Sequence, residues 1–207
     1  MKQILALAWL AAIVVLGASV ASADSAPVHL RGEIDTVAPS TFELTPVGGR
    51  KTEIAWSDKT RFASLTTAQL SDIKSGMFVG TAAIPQADGT LRALEIHIFP
   101  ESMRGTGEGY RPFPQVAQGT MTNATVSNIV GTSAASSDGG KTLTLTYKDG
   151  KQTVVVPKDA PIVLLGPGDA SMLKPHAKVS VTASKDAAGK LTAGRVLIGL
   201  NGATPPI

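Results

Sequence analysis

The residues best suited to chemistry lie close together in the middle of the chain, between His97 and Phe113. This segment holds one histidine, two glutamates, two arginines and three alternating glycines. Imidazole and carboxylate groups together suit a divalent metal ion, so His97, Glu101 and Glu108 form one candidate site. Their spacing follows no fixed metal-binding motif, such as two histidines four residues apart on a helix. Metal binding or metal handling through this segment is therefore the alternative to the main prediction, a non-catalytic binding or structural module of unknown ligand.

The same segment has two other interpretations, and the sequence leaves the choice open. Arg104 and Arg111 could pair with the glutamates, so that the segment docks on the domains at either side as a structured linker. Alternatively, the guanidinium groups and the backbone N–H groups of the glycines could cradle a phosphate or carboxylate. A dinucleotide-binding loop is excluded, because prolines follow and no helix can begin there. The glycines concerned are Gly105, Gly107 and Gly109.

Nothing in the chain has the pattern of a nucleophilic enzyme. There is no G-x-S-x-G motif and no cysteine, and the three histidines, His29, His97 and His176, are far apart in sequence. A nucleophilic serine needs a base within hydrogen-bond reach, and no local pattern provides one. We therefore predict that the protein is not an enzyme and that it needs no cofactor, apart from a possible divalent metal.

The first residues predict export. Lys2 precedes an apolar run from Ile4 to Leu16, and small residues follow up to Ala23. A basic start, a short apolar middle and an A-x-A end are typical of a secretory signal peptide. The apolar run is shorter than the roughly 20 residues of a membrane-spanning helix. We therefore predict that residues 1–23 are cleaved, leaving a bacterial periplasmic or secreted protein without a stable membrane span.

Composition limits the partners of the mature chain. Loss of Lys2 leaves 18 basic and 16 acidic residues, a charge too small to favour a polyanion, so we predict no binding to nucleic acid. The absence of cysteine excludes disulfides and thiolate metal sites, as suits a periplasmic protein held together by its core. The expected partner is an unidentified ligand or an envelope protein.

Two halves of the chain share one pattern of short alternating strands. In the first half, three strands precede a short helix between Leu65 and Ile73, and two strands follow it. The second half repeats the apolar pattern at an offset of one hundred residues, as in Ile54 and Val154. A register kept across several elements indicates a duplication. The predicted units are 24–98 and 116–202, with a Gly/Pro-rich segment, 99–115, between them and a tail, 203–207.

The element order predicts an all-β protein. Three strands, a helix and two strands suit a small five-stranded OB-like Greek-key barrel, so we predict two such barrels in tandem, each with one short helix. Paired sandwiches or split barrels are the alternative. In the fifth strand, Leu94, Ile96 and Ile98 alternate with Glu95 and His97, so the apolar face is expected to be buried and His97 to point outward.

Several short motifs of the first unit resemble a known family. They are Gly32, Thr41-Phe42-Glu43-Leu44, Thr60-Arg61-Phe62, Lys74-Ser75-Gly76 and Asp88-Gly89-Thr90-Leu91-Arg92-Ala93. Together they are similar to the exported bacterial domain of unknown function 5666. The resemblance implies a periplasmic, OB-like and often tandem domain, and it implies no activity. The second unit departs from it where Pro175-His176 replaces Ser75-Gly76.

Overall fold

The computed structural model describes residues 26–131 and 140–206, so the predicted signal peptide lies outside the described residues. Within these ranges the chain forms thirteen strands and three 3₁₀ helices. No helix in this part of the chain has the length and apolar character needed to cross a membrane. The strands are β1 (Val28–Val37), β2 (Thr41–Pro46), β3 (Thr52–Ala55), β4 (Arg61–Ala68), β5 (Phe78–Pro85), β6 (Leu91–Ile98), β7 (Gly109–Pro112), β8 (Thr120–Gly131), β9 (Lys141–Tyr147), β10 (Gly150–Val156), β11 (Ile162–Pro167), β12 (Lys178–Lys185) and β13 (Leu191–Gly199), and the 3₁₀ helices are Leu70–Asp72, Glu101–Met103 and Ala170–Met172.

Two five-stranded barrels form within the described residues. Barrel I contains β1, β2, β3, β12 and β13, and the parallel pairing of β3 with β13 closes it. Barrel II contains β5, β6, β8, β9 and β10, and the parallel pairing of β6 with β10 closes it. The predicted all-β fold built on small five-stranded barrels is therefore confirmed.

Each barrel draws strands from both halves of the sequence. Barrel I takes its first three strands from the first half and its last two from the second, and barrel II has the reverse composition. The expectation that 24–98 and 116–202 each close a barrel by themselves is therefore wrong. The reason is that β4 continues away from barrel I as an extended strand, and β5 then joins the other barrel.

Strands β4 and β11 join the two barrels. They pair antiparallel with each other, and Leu65 lies directly opposite Leu165, its equivalent in the second repeat. On their outer sides, β4 pairs with β13 of barrel I and β11 with β6 of barrel II. A pseudo-two-fold axis therefore passes through the Leu65–Leu165 pair. Both leucines are at most 2% exposed. They form an apolar cluster between the two barrels with Phe78, Phe99, Val163 and Ala203.

The apolar cores confirm that the strands are exchanged. The barrel I core combines Ile34 and Phe42 from the first repeat with Val181 and Val196 from the second. The barrel II core combines first-repeat and second-repeat residues in the same way. Because each buried apolar side chain contributes about 1.5–3 kcal/mol, neither half can complete a core without the other.

Two local predictions need correction. The helix expected over Leu65–Ile73 is reduced to the 3₁₀ helix Leu70–Asp72, because residues up to Ala68 extend to pair with β11. In β6, a bulge at Leu94 interrupts the alternation of the two faces, because Ala82 pairs with Glu95 whereas Ala83 pairs with Ala93. The bulge turns Ala93 into the core and leaves Leu94 only partly buried.

Candidate functional site

A cleft of about 680 Å³ opens between the two barrels. One wall is the outer face of barrel I, formed by β1, β12 and β13. The other consists of β8 and the chain from β7 to Gln115, and His97 and Phe99 also line the cleft. The volume lies within the range of about 300–1,000 Å³ that is usual for small-molecule sites.

The barrel I wall carries polar and basic side chains in register. His29 of β1 lies opposite Thr182 of β12, which lies opposite Arg195 of β13. The next row in the same direction places Arg31 opposite Ser180. Residues two apart on a strand share a face, so the two rows form one continuous surface. Thr182 Oγ1 and His29 Nδ1 are 3.3 Å apart, within hydrogen-bond reach.

The opposite wall combines apolar side chains with polar ones. Strand β7 pairs antiparallel with β8, with Arg111 opposite Met121. Phe113 follows β7, and its backbone N–H donates to Gly119 O. These contacts hold Arg111, Met121 and Phe113 along the rim of barrel II, where all three line the cleft. The interdomain segment is therefore part of the wall.

A glycine in β5 explains why this segment lies on barrel II. A Cβ atom at Gly80 would stand 2.6 Å from Asn123 Oδ1 and 3.0 Å from the ring of Phe99. With glycine there, the Asn123 side chain lies across β5 and donates to Thr106 O at 2.9 Å. The equivalent position in barrel I is Ser180, and that face stays open to the cleft.

His97 and Glu95 form a buried pair beside the cleft. Glu95 is 0% exposed, and its Oε1 is 3.4 Å from His97 Nε2, close enough for an ion pair but without hydrogen-bond geometry. The His97 side chain is 14% exposed. Burial, together with the charge of Arg195, lowers the pKa of His97 from 6.5 to about 4. His97 thus points out of its barrel as predicted, yet it is covered by protein and uncharged at neutral pH.

The three predicted metal ligands have different partners. Glu101 accepts hydrogen bonds from Arg104, whose guanidinium lowers the pKa of that carboxyl. Glu108 accepts from the Lys148 backbone N–H at 3.1 Å. In the described ranges, 26–131 and 140–206, no three His, Asp or Glu side chains are arranged to hold a metal ion. The fold does not bring His97, Glu101 and Glu108 together as such a group.

The predicted anion cradle is divided between two places. Arg104 turns towards barrel II, where it donates to Gly76 O at 2.8 Å and to Thr125 Oγ1 at 3.2 Å. Arg111 closes the loop before it by donating to Gly107 O at 2.7 Å, and it also lines the cleft. Positive φ angles occur at all three glycines, which allows the turns that the sequence predicted. These are Gly105, Gly107 and Gly109.

Most of the cleft residues were missed by sequence analysis. One signal was available, because the offset of one hundred residues places Arg195 on Glu95 and so reverses the charge between the repeats. A charge reversal on an outward strand face indicates that the two faces have different surroundings. The cleft residues missed on barrel I are His29, Arg31, Ser180, Thr182, Arg195 and Leu197.

Comparison with known proteins gives one match. No curated protein and no solved structure matches the chain. The family model described as "Domain of unknown function (DUF5666)" matches residues 31–97, from β1 to β6. The matched range contributes strands to both barrels, so the family unit does not correspond to either barrel alone. Residues 31–97 are therefore similar to this family of unknown function, as their motifs predicted.

Proposed function

We propose that this protein is an exported, non-catalytic binding module whose ligand occupies the cleft between the barrels. The cleft carries the proposal: it has the volume of a small-molecule site, one wall has polar groups in register, and the facing wall includes Phe113 and Met121. Both barrels contribute to it, and the exchange of strands fixes their separation. A rigid, preformed cleft binds a ligand at a low cost in conformational entropy.

Export and the lack of catalysis are supported by the sequence. The basic start, apolar run and A-x-A end of residues 1–23 favour a periplasmic or secreted location in a bacterium. Mass spectrometry of the protein purified from a bacterial host should find a mature chain that begins at Asp24. An intact Met1 on the purified protein would contradict export by signal cleavage.

A blocking variant tests the binding function. Gln115 is exposed on the cleft wall, and Gln115→Trp would place an indole in the opening. Gln86 is exposed in a turn outside the cleft, so Gln86→Trp is the matched control. We expect members of a metabolite library to raise the melting temperature of the wild type and of Gln86→Trp, but not of Gln115→Trp. Equal shifts in all three proteins would contradict ligand binding in the cleft.

The metal-handling alternative, with His97, Glu101 and Glu108 as ligands, rests on the sequence pattern, and no contact among the residues that the structure describes favours it. Calorimetric titration with zinc, copper and nickel, repeated on His97→Ala, tests it directly. Saturable binding that is lost in His97→Ala would replace the cleft proposal with a metal site.

A further inference from the structure

We propose that the cleft binds an organic oxyanion, a carboxylate or phosphate group carried on an apolar body. This inference rests on the proposed function, since it names the ligand class of the same cleft. Its first support is the charge of the lining, which among the described residues includes three arginines and no aspartate or glutamate. The arginines are Arg31, Arg111 and Arg195; His29 and the uncharged His97 also line the cleft.

The barrel I wall places hydrogen-bond donors side by side on adjacent strands. Adjacent strands lie about 4.8 Å apart, so Thr182 lies between His29 and Arg195 in one row. Ser180 occupies the same strand one row along, opposite Arg31. Thr182 therefore separates the imidazole of His29 from the guanidinium of Arg195, and Ser180 lies between Arg31 and Leu197. A phosphate or carboxylate seated on the hydroxyls would receive charge-assisted hydrogen bonds from the guanidiniums.

Among the described residues, the arginines on this face, Arg31 and Arg195, and the neighbouring Arg61 form no ion pair with a carboxylate. Arg195 on β13 lies opposite Arg61 on β4, and desolvation together with the charge of Arg61 lowers the pKa of Arg195. A bound anion would offset the repulsion between neighbouring guanidiniums. The fold itself does not need a cation at position 195, because its equivalent in barrel II is Glu95.

The facing wall indicates that the ligand has an apolar part. Phe113 and Met121 line the cleft opposite the basic face, together with prolines of the interdomain segment. An inorganic anion would leave these side chains in contact with water. A ligand with an aromatic or alkyl body would bury them, at about 25 cal/mol per Å² of apolar area. The ligand class is therefore an amphiphilic acid, with its charge on barrel I and its body against barrel II.

Calorimetry with three defined probes tests this assignment. Phenyl phosphate should bind at one site, inorganic phosphate more weakly, and phenol not measurably. Arg195→Gln should weaken phenyl phosphate binding about tenfold or more, because hydrogen bonds to charged groups contribute about 1.5–3 kcal/mol. Arg31→Gln, a change at an exposed residue of the same face, should weaken it as well. Arg50→Gln, at an exposed turn outside the cleft, should leave the affinity unchanged.

Two further arms identify the source of the oxyanion. Co-sedimentation with phosphatidylcholine vesicles that contain phosphatidic acid, lost in Arg195→Gln, would assign the group to a lipid headgroup. Binding of soluble phenyl phosphate without vesicle binding would assign it to a soluble acid. Either result supports the inference, provided that circular dichroism shows the variants folded.

The failures of the two proposals can be told apart. If phenyl phosphate does not bind, or if Arg195→Gln and Arg31→Gln bind it as the wild type does, the oxyanion assignment is overturned. A neutral compound that binds the wild type and not Gln115→Trp would then keep the cleft as a binding site for a different ligand class. If no compound distinguishes Gln115→Trp from Gln86→Trp, the cleft function falls as well.

Discussion

Replacing His97 by leucine should remove a proton-linked loss of stability in acid. The second repeat has Leu197 at the equivalent position, so the fold accommodates leucine there. In the folded protein the pKa of His97 is lowered from 6.5 to about 4, first by burial and then by the charge of Arg195. The charged groups that act on His97 are Glu95 on its own strand and Arg195 on β13.

The lowered pKa of His97 decides how the free energy of unfolding depends on pH. Between about pH 6.5 and 4 the unfolded chain binds a proton at His97 that the folded chain does not bind, so the free energy of unfolding falls as pH falls. The full shift corresponds to about 3 kcal/mol, and about 2.5 kcal/mol of it should be lost by about pH 4.5. Above about pH 7 the same histidine should contribute almost no pH dependence.

Urea unfolding across this pH range provides the assay. The wild type should lose about 2.5 kcal/mol more than His97→Leu between about pH 7 and pH 4.5. Glu95 is present in both proteins, and His29→Gln, at an exposed histidine, is the control that should follow the wild type. If wild type and His97→Leu fall in parallel, His97 titrates as it would in water and its burial beside the cleft is refuted.

Three further predictions follow from the fold. His176→Gly should be more stable than His176→Ala by about 1 kcal/mol in urea titrations, because position 176 has a φ of 68° and both variants lose the 2.8 Å contact with Glu33. Gly76→Ala, at a φ of 86°, should lower the free energy of unfolding by about 1 kcal/mol, and equal stability of the two His176 variants would contradict the left-handed assignment. Leu165→Ala, on the pseudo-two-fold axis, should cost about 2–5 kcal/mol in the same measurement, and a cost like that of a surface change would place the residue outside the core. Fragments 24–115 and 116–207 should form a stable one-to-one complex when expressed together, and two independently folded, non-associating halves on size-exclusion chromatography would contradict the strand exchange.

The strands and the core could be predicted because they depend on local pattern. Phe42, Ile54 and Val179 are fully or almost fully buried where alternation placed them on apolar faces. The offset of one hundred residues predicted that the two halves are equivalent, and Leu65 does lie opposite Leu165. Alternation fixes which face of a strand is buried, and in each of these cases no other interaction opposed it.

Strand exchange could not be predicted from the same pattern. Each half of the chain contains one equivalent of each of the five barrel strands. A barrel closed within one half and a barrel shared by both halves therefore require the same buried residues. The choice depends on whether the chain after β3 turns back or continues, and Arg61–Ala68 continues because it pairs with β11. That pairing joins residues about one hundred positions apart, beyond the reach of any local periodicity.

The cleft results from small differences between equivalent positions of the two barrels. In barrel II, Gly80 leaves room for Phe99 and Asn123, so the interdomain segment covers that face and Glu95 and His97 are buried. In barrel I, Ser180 and Arg195 occupy the equivalent positions, and their face stays open towards the covered one. Two identical faces would both be covered or both be open. The different residues at these positions give the cleft one covered wall, on barrel II, and one basic wall, on barrel I. A ligand with a charged end and an apolar body requires that asymmetry.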